Sequence, residues 1–248
     1  MRMMKKVLGT VTVLALSVSL LAGCGSTAAE STTSSVVSET TSAAADENAA
    51  AAAQLLNDLT GSYQELWPVI LADEYQQTWL DDCTALVGEE NAEAAFEKLS
   101  SMVTSDVYGE DAVEAYANGG GAYFCGFTNS LATLTFDGET STISGTDKDG
   151  NVLFSHTYHY IGMEPVHGLY EFESDDADSG EFTYFFLAPD TSAETYHIEF
   201  RYGSDAEALS QYDAGEYAYW VASGISTDCD QTMIDNCIEL FCTENLAG

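Results

Sequence analysis

Positive charge is what this sequence has least of. Its 248 residues include 6 Lys and Arg against 41 Asp and Glu, a formal net charge of −35. Arg2, Lys5 and Lys6 all precede Cys24, and every acidic residue follows it. Beyond Cys24 only Lys98, Lys148 and Arg201 remain, so that part of the chain carries three basic residues against 41 acidic ones, a net charge of −38. Such a balance excludes nucleic acid as a partner, because phosphate binding needs Lys and Arg. Anionic lipid headgroups are repelled for the same reason. The field attracts cations and favours solubility, but a solvated acidic surface explains it without any bound metal.

Other absences narrow the chemistry. No CxxC pair occurs, which excludes the usual thiolate zinc site. The nucleophile elbow, the P-loop and the HExxH helix are all missing. With 41 carboxylates, close acidic pairs are unavoidable and carry no glycosidase signal. The expectation is a protein that is not an enzyme. Residues 25–52 contain no aromatic and consist almost entirely of Ser, Thr, Ala, Glu and Val. They cannot bury enough apolar surface to offset chain entropy, so they read as a flexible tether, with the Ala run at 49–53 able to open a helix.

The amino terminus is informative. Three positive residues precede an uncharged run of apolar or small residues from Val7 to Ala22. The run is shorter than the roughly 20 apolar residues that span a bilayer, so it reads as a signal peptide. It ends in Leu21-Ala22-Gly23-Cys24, the lipobox pattern of bacterial lipoproteins. Cys24 is thus expected to carry the lipid that holds the protein at the cell membrane, facing the extracytoplasmic side. Each buried CH2 of such a chain contributes about 0.8 kcal/mol. The expected organisation is a signal peptide at 1–24, a tether at 25–52 and one domain at 53–248. Five cysteines are left: Cys83, Cys125, Cys229, Cys237 and Cys242. Disulfides form outside the cytoplasm, yet five is odd, so at least one thiol stays free or pairs between chains. Cys237 and Cys242 fall on different sides of one expected helix. Cys229 reaches either only if the chain bends, and small buried apolar residues are the equal alternative.

Helical spacing runs from Leu55 to about Ala117. Leu56, Leu59, Tyr63, Leu66, Trp67 and Ile70 recur at three and four residues, with Asn57 or Asp58 as a candidate cap and a break expected at Pro68. Further helices are expected at Tyr75–Val87, Glu90–Met102 and Glu110–Ala117. Strand-like runs follow at Ala122–Thr128, Leu131–Phe136, Ser141–Ser144, Val152–Ile161, Leu169–Ser174, Phe182–Ala188 and Thr195–Tyr202. Asp137-Gly138 and Asp149-Gly150 read as hairpin turns. The stretch from Asp147 to Gly150 lacks the remaining ligands of a calcium loop. Helices return at Asp205–Gln211 and Asp230–Phe241. Seven short antiparallel strands closing on themselves predict a mainly β protein, a small barrel.

Four segments carry a resemblance. The first is Leu56-Asn57-Asp58-Leu59-Thr60-Gly61-Ser62-Tyr63-Gln64-Glu65-Leu66-Trp67-Pro68. The second is Gly168-Leu169-Tyr170-Glu171-Phe172-Glu173, and the third Gly180-Glu181-Phe182-Thr183-Tyr184. The fourth runs from His197-Ile198-Glu199 through Gly203-Ser204-Asp205 to Glu216-Tyr217-Ala218-Tyr219. In their order and spacing they resemble the ZinT (YodA-like) metal-binding domain, also found as the carboxyl-terminal domain of some streptococcal zinc-binding lipoproteins. The resemblance covers residues 55–226. It implies a lipocalin-like (calycin) antiparallel barrel with flanking amino- and carboxyl-terminal helices, and extracytoplasmic zinc binding by three histidines. It also implies a scavenger or an accessory to metal uptake, with a metal ABC transporter as partner.

This chain departs from the three-histidine pattern. Counting from Gly180, the first histidine's place falls at Asp190, and the paired H-x-H becomes His197-Ile198-Glu199, with an intervening loop about two residues shorter. The resemblance therefore implies Asp190, His197 and Glu199 as the metal ligands. Residues i and i+2 of a strand share a face, so His197 and Glu199 can converge on one ion. All three residue types ligate zinc, with water at a fourth position. Two carboxylates in place of imidazoles also admit Mn2+, Fe2+ or Ca2+ beside Zn2+. An ordinary half-buried strand shows the same alternation, with Tyr196, Ile198, Phe200 and Tyr202 inward and His197, Glu199 and Arg201 in water. An Arg201–Glu199 pair would then compete with a cation. His156 and His159 are three apart on a strand and face opposite sides, and His167 lies in a turn. The reading from a different class is a barrel that has lost its metal and binds an apolar small molecule or a partner protein, with some of the 14 Tyr and 11 Phe lining its pocket.

Overall fold

A computed structural model describes residues 47–188 and 197–247. Cys24, the signal-peptide and tether residues before 47, and Asp190 lie outside the described residues. Eight strands form the centre: β1 Gly61–Glu65, β2 Thr133–Asp137, β3 Thr142–Thr146, β4 Val152–Met163, β5 Tyr170–Ser174, β6 Tyr184–Leu187, β7 His197–Gly203 and β8 Ala222–Ser226. Each pairs antiparallel with the next, and β8 returns to β1 through Tyr63↔Ser226 and Glu65↔Gly224. This closed up-and-down order is the lipocalin-like arrangement expected from the sequence.

Eight strands enclose an interior just wide enough for side chains to fill it. Here Phe136, Ile143, Phe172, Phe185, Phe200 and Tyr202 fill it, each at most 1% exposed. The aromatic rings that a ligand-binding barrel would turn toward a pocket pack on one another instead. Phe185 and Phe200 lie 5.4 and 5.8 Å from Tyr202. Gly145 and Gly224 leave room at the wall for Phe154 and Ile198.

Helices cover the outside. Helix α1 spans 47–58 and takes in the Ala run at 49–53. It is followed by α2 Leu66–Ile70, α3 Gln76–Val87, α4 Ala92–Ser101, α5 Glu110–Ala117, α6 Ala206–Leu209 and α7 Gln231–Leu246. Asp205 and Asp230 cap α6 and α7 by accepting backbone N–H bonds, the expected use of Asp at such positions. A second apolar cluster joins α2, α3, α4 and α7 to β8 through Trp67, Ile70, Trp79, Leu99, Ile225 and Ile238. None of the described helices is long and apolar enough to cross a membrane. The five cysteines from Cys83 onward are free thiols. Cys83 and Cys242 bring their sulfurs within 3.9 Å between α3 and α7, a proximity that neither sequence spacing nor helix phase suggests.

Three segments differ from expectation, each for a physical reason. The helical spacing from Leu56 to Ile70 is divided by Gly61, whose φ of +147° suits no side-chain-bearing residue. The chain turns there into β1, and Asn57 and Asp58 end α1 rather than capping a start. Strand β1 buries only Tyr63, too few positions for a period of two to be legible. Pro68 is the third residue of α2, where its missing N–H is one of those a helix leaves unpaired anyway. Strand β8 reads Ala-Ser-Gly-Ile-Ser and lacks the bulky alternation that marks a strand. The apolar run 122–128 is not a barrel strand, because β1 and β7 already occupy both edges of β8. It lies against the stretch before β8 instead, with Phe124 N–H donating to Tyr219 O and Val221 N–H to Phe124 O.

The Asp137-Gly138 turn closes against α1. A Cβ on Gly138 would stand 2.4 Å from Asn57 Cα and 2.6 Å from Leu56 O. Both are backbone atoms that cannot rotate aside. Gly138→Ala is expected to destabilise the domain by about 1–3 kcal/mol, the usual cost of overpacking. The measurement is the urea midpoint, and an unchanged midpoint would show that α1 is not held there.

Candidate functional site

Strand β7 supplies the residues in question. Ile198, Phe200 and Tyr202 point into the barrel and are at most 1% exposed. His197, Glu199 and Arg201 occupy its outer face, in register with Ile225, Ser223 and Phe186 of the flanking strands. That face is only partly open to water: Arg201 is buried and His197 and Glu199 are half-buried. Helix α7 lies over its beginning, and the chain from α6 to Tyr217 lies over its end.

His197 and Glu199 border one small cleft of about 30 Å³, with Trp67, Ile70, Cys237, Phe241 and Glu244 around it. The i, i+2 geometry therefore brings the imidazole and the carboxylate to a common space, as the strand period requires. Asp190, the third expected ligand, lies outside the described residues. Among the described residues, no group of three or more His, Cys, Asp or Glu side chains is gathered closely enough to hold a metal ion.

The other histidines are engaged separately. His156 Nδ1 is 2.8 Å from Asp176 and His159 Nδ1 is 2.8 Å from Asp175, so the two do not share an ion. His167 stacks on Tyr212 at 3.7 Å. Its backbone N–H donates to the fully buried Glu164 carboxylate. Asp147 accepts from Asp149 N–H, Asn151 N–H and the Asn151 side chain. These contacts make a turn and not a calcium loop.

Arg201 is where the alternative of a solvated polar face fails. It is fully buried. Its guanidinium donates to the carbonyls of Leu209, Gln211 and Tyr217 and lies 4.2 Å above the Tyr212 ring. Burial pulls its pKa down, against the Tyr212 ring and hydroxyl, which hold it up. Nothing in the alternation of β7 distinguishes this arginine from a surface one. The signal available was its singularity: it is the one arginine beyond residue 2.

Beside Arg201 lies a cavity of about 500 Å³ outside the barrel. Glu199, Arg201 and Ser223 form its floor, with Trp67, Tyr123 and Phe241 among its walls. Cys125 also borders it. Burial pushes the Cys125 thiol up to about 12, and the nearby Glu199 carboxylate adds to the effect. Sequence reasoning did not find this cavity, because its lining comes from nine separate stretches of chain.

No family model and no curated protein sequence matches this chain. Solved structures overlap it partially. One is the Zn(II)-bound ZinT-like domain of Streptococcus pneumoniae AdcA, at 16% identity over 74% of this chain and 89% of that one, with a TM-score of 0.47. Another is Zn(II)-bound AdcA from Streptococcus pneumoniae, at 14% identity over 75% of this chain, with a TM-score of 0.44. This chain spans about a third of that protein, 35% of its length. The fold described above rests on strand order and register, not on these overlaps.

Buried acids fix how stability should respond to alkali. In the unfolded chain a thiol ionises near pH ~8.5 and a tyrosine near ~10. In the folded protein burial pushes both Cys125 and Tyr212 up to about 12. The folded state thus keeps protons that the unfolded state releases. Its advantage is complete below about pH 8.5 and is lost as pH rises toward 12. The urea midpoint is expected to be flat from pH 7 to 8 and to fall steadily above roughly pH 9. A midpoint that rises there would contradict the burial of these groups.

Proposed function

We propose that this chain is a lipid-anchored extracytoplasmic protein that binds a divalent metal ion, Zn2+ first among them, as a scavenger or an accessory to a metal ABC transporter. The observation that carries the reading is the common cleft bordered by His197 and Glu199 on one face of β7. An imidazole nitrogen and a carboxylate oxygen are both zinc donors, and Asp190 would complete a three-ligand set with water in the fourth position. Asp190 stands seven residues before His197, in the connection between β6 and β7. The resemblance of four segments to the ZinT family supports the same ligand positions. The acidic balance beyond Cys24 adds a field that draws cations toward the protein. The lipid anchor is inferred from the Leu21-Ala22-Gly23-Cys24 lipobox.

Two measurements test this. Domain purified without chelator and titrated with zinc is expected to hold about one equivalent by elemental analysis. The joint change of Asp190, His197 and Glu199 to Ala should leave none, with the barrel still folded by circular dichroism. No stoichiometric metal in the unchanged protein after titration would end the metal-binding reading. Separately, the full chain is expected to incorporate a labelled fatty acid when expressed in a bacterium, and Cys24→Ala to abolish that labelling. An unchanged chain that takes up no label would end the lipid-anchor reading and leave metal binding untouched.

A further inference from the structure

Cys83 of α3 and Cys242 of α7 meet in the apolar cluster that joins the helices to β8. Their sulfurs lie 3.9 Å apart, although the two residues are 159 positions apart in the chain. Neither has any surface in water. Trp79 stands one turn before Cys83, and Phe241 is the neighbour of Cys242. Their rings meet edge-on at 6.0 Å, so α3 and α7 are packed together along this line. Both cysteines are thiols in this structure.

A core needs only small apolar side chains at such positions, and a disulfide needs something more specific. It needs two sulfurs that face each other across two elements and can close to about 2 Å. Here no atom fits between the sulfurs, and rotation about a Cα–Cβ bond makes a displacement of that order. The position of the pair gives the bond a consequence. Helix α7 is not part of the closed sheet, yet its Cys237, Leu240, Phe241 and Glu244 border the cleft of His197 and Glu199. Apolar packing against α2, α3 and α4 holds it there. A covalent link at Cys242 would tie this cover to α3. The loop it closes contains every strand from β2 to β8, and in the chain-entropy account a longer closed loop restricts the unfolded chain more.

We propose that Cys83 and Cys242 form a disulfide by exchange with a disulfide oxidant, and that the bond fixes α7 as the cover of the His197–Glu199 cleft. For its oxidising compartment the proposal rests on the export reading. One cysteine thiolate attacks the oxidant's disulfide and expels one thiol. The other thiolate then attacks the mixed disulfide and expels the second. Two protein thiols are thereby oxidised, one oxidant disulfide is reduced to two thiols, and the two cysteine protons pass to the leaving sulfurs. Burial raises the Cys83 thiol, against the lowering effect of its hydrogen bond with Cys242. It raises the Cys242 thiol too, and the Cys83 sulfur adds to this. The thiolate is the reactive form, so exchange takes place before α7 closes on α3, and the finished bond is shielded from external thiols.

The test uses the full chain with Cys24→Ala, which removes the lipid-site thiol, unfolded in urea and refolded with reduced and oxidised glutathione. Remaining thiols are blocked with iodoacetamide and the chain is cut after glutamate. Cys83 then falls in fragment 75–89 and Cys242 in fragment 240–244, while Cys229 and Cys237 share fragment 217–239. Mass spectrometry is expected to find 75–89 joined to 240–244, and separated by reduction. Refolding with a dithiol reductant instead should lower the urea midpoint by roughly 1 M, the size expected for so long a closed loop. Amide exchange along α7 should be faster in that reduced form. Cys83→Ala and Cys242→Ala should each remove the difference between the two conditions. Refolded chain with both thiols blocked, or with Cys83 joined to another fragment, would overturn the pairing. Equal exchange along α7 in the two forms would overturn its covering role. Unchanged chain made in a bacterium separates the export reading from the pairing. Fatty-acid-labelled chain without the bond overturns the proposal, whereas chain with neither label nor bond, but joined on refolding, upholds the pairing and ends the export reading.

Discussion

The Arg201 guanidinium carries its charge with none of the residue's surface in water, and the carbonyl oxygens of Leu209, Gln211 and Tyr217 take the place of that water. A buried charge without such partners costs several kcal/mol, so the chain after β7 must fold back over the strand and stay there. The Tyr212 ring lies beneath the same group. One side chain thereby fixes a loop that has little regular structure of its own. It also takes the end of the outer face of β7 out of water, while His197 and Glu199 stay half-buried.

The two faces of this strand serve different spaces. The inner face of β7 contributes Ile198, Phe200 and Tyr202 to a barrel core packed with aromatic rings. The outer face contributes His197, Glu199 and Arg201 to spaces enclosed by helices and loops. The cleft and the cavity beside β7 thus lie between barrel and helices. Trp67 of α2 and Phe241 of α7, whose rings meet at 4.7 Å, stand between the small cleft and the larger cavity and border both. Glu199 also borders both.

Much of this was legible beforehand where the signal is local. The span of α5 and the starts of α6 and α7 follow from helical spacing. Six of the eight strands follow from alternation and turn residues. Closure into a barrel was legible as a count of short strands. What failed was β1, hidden in a helical spacing that Gly61 interrupts, and β8, built from small residues. The run 122–128 failed in the opposite sense, being apolar enough for a strand but excluded by edges already occupied. At the site, the shared face of His197 and Glu199 was readable from the strand period. The burial of Arg201 was not, because period two says which residues share a face and nothing of what covers it.

The sequence alone determined the acidic balance, the change from helical to strand texture and the alternation along β7. These are properties of neighbouring residues or of composition, and short-range sterics and charge suffice to set them. Only the tertiary structure decided that Arg201 on the polar face of β7 is buried and that Cys83 meets Cys242. It alone decided that Trp67, Arg201 and Tyr212 converge on one cavity. Those outcomes depend on segments that are not neighbours in the chain: Cys83 and Cys242 are 159 residues apart, and the cover over Arg201 comes from the loop that follows β7. No local pattern encodes such a meeting, because it is fixed by which edges and faces remain to be covered once the barrel has closed.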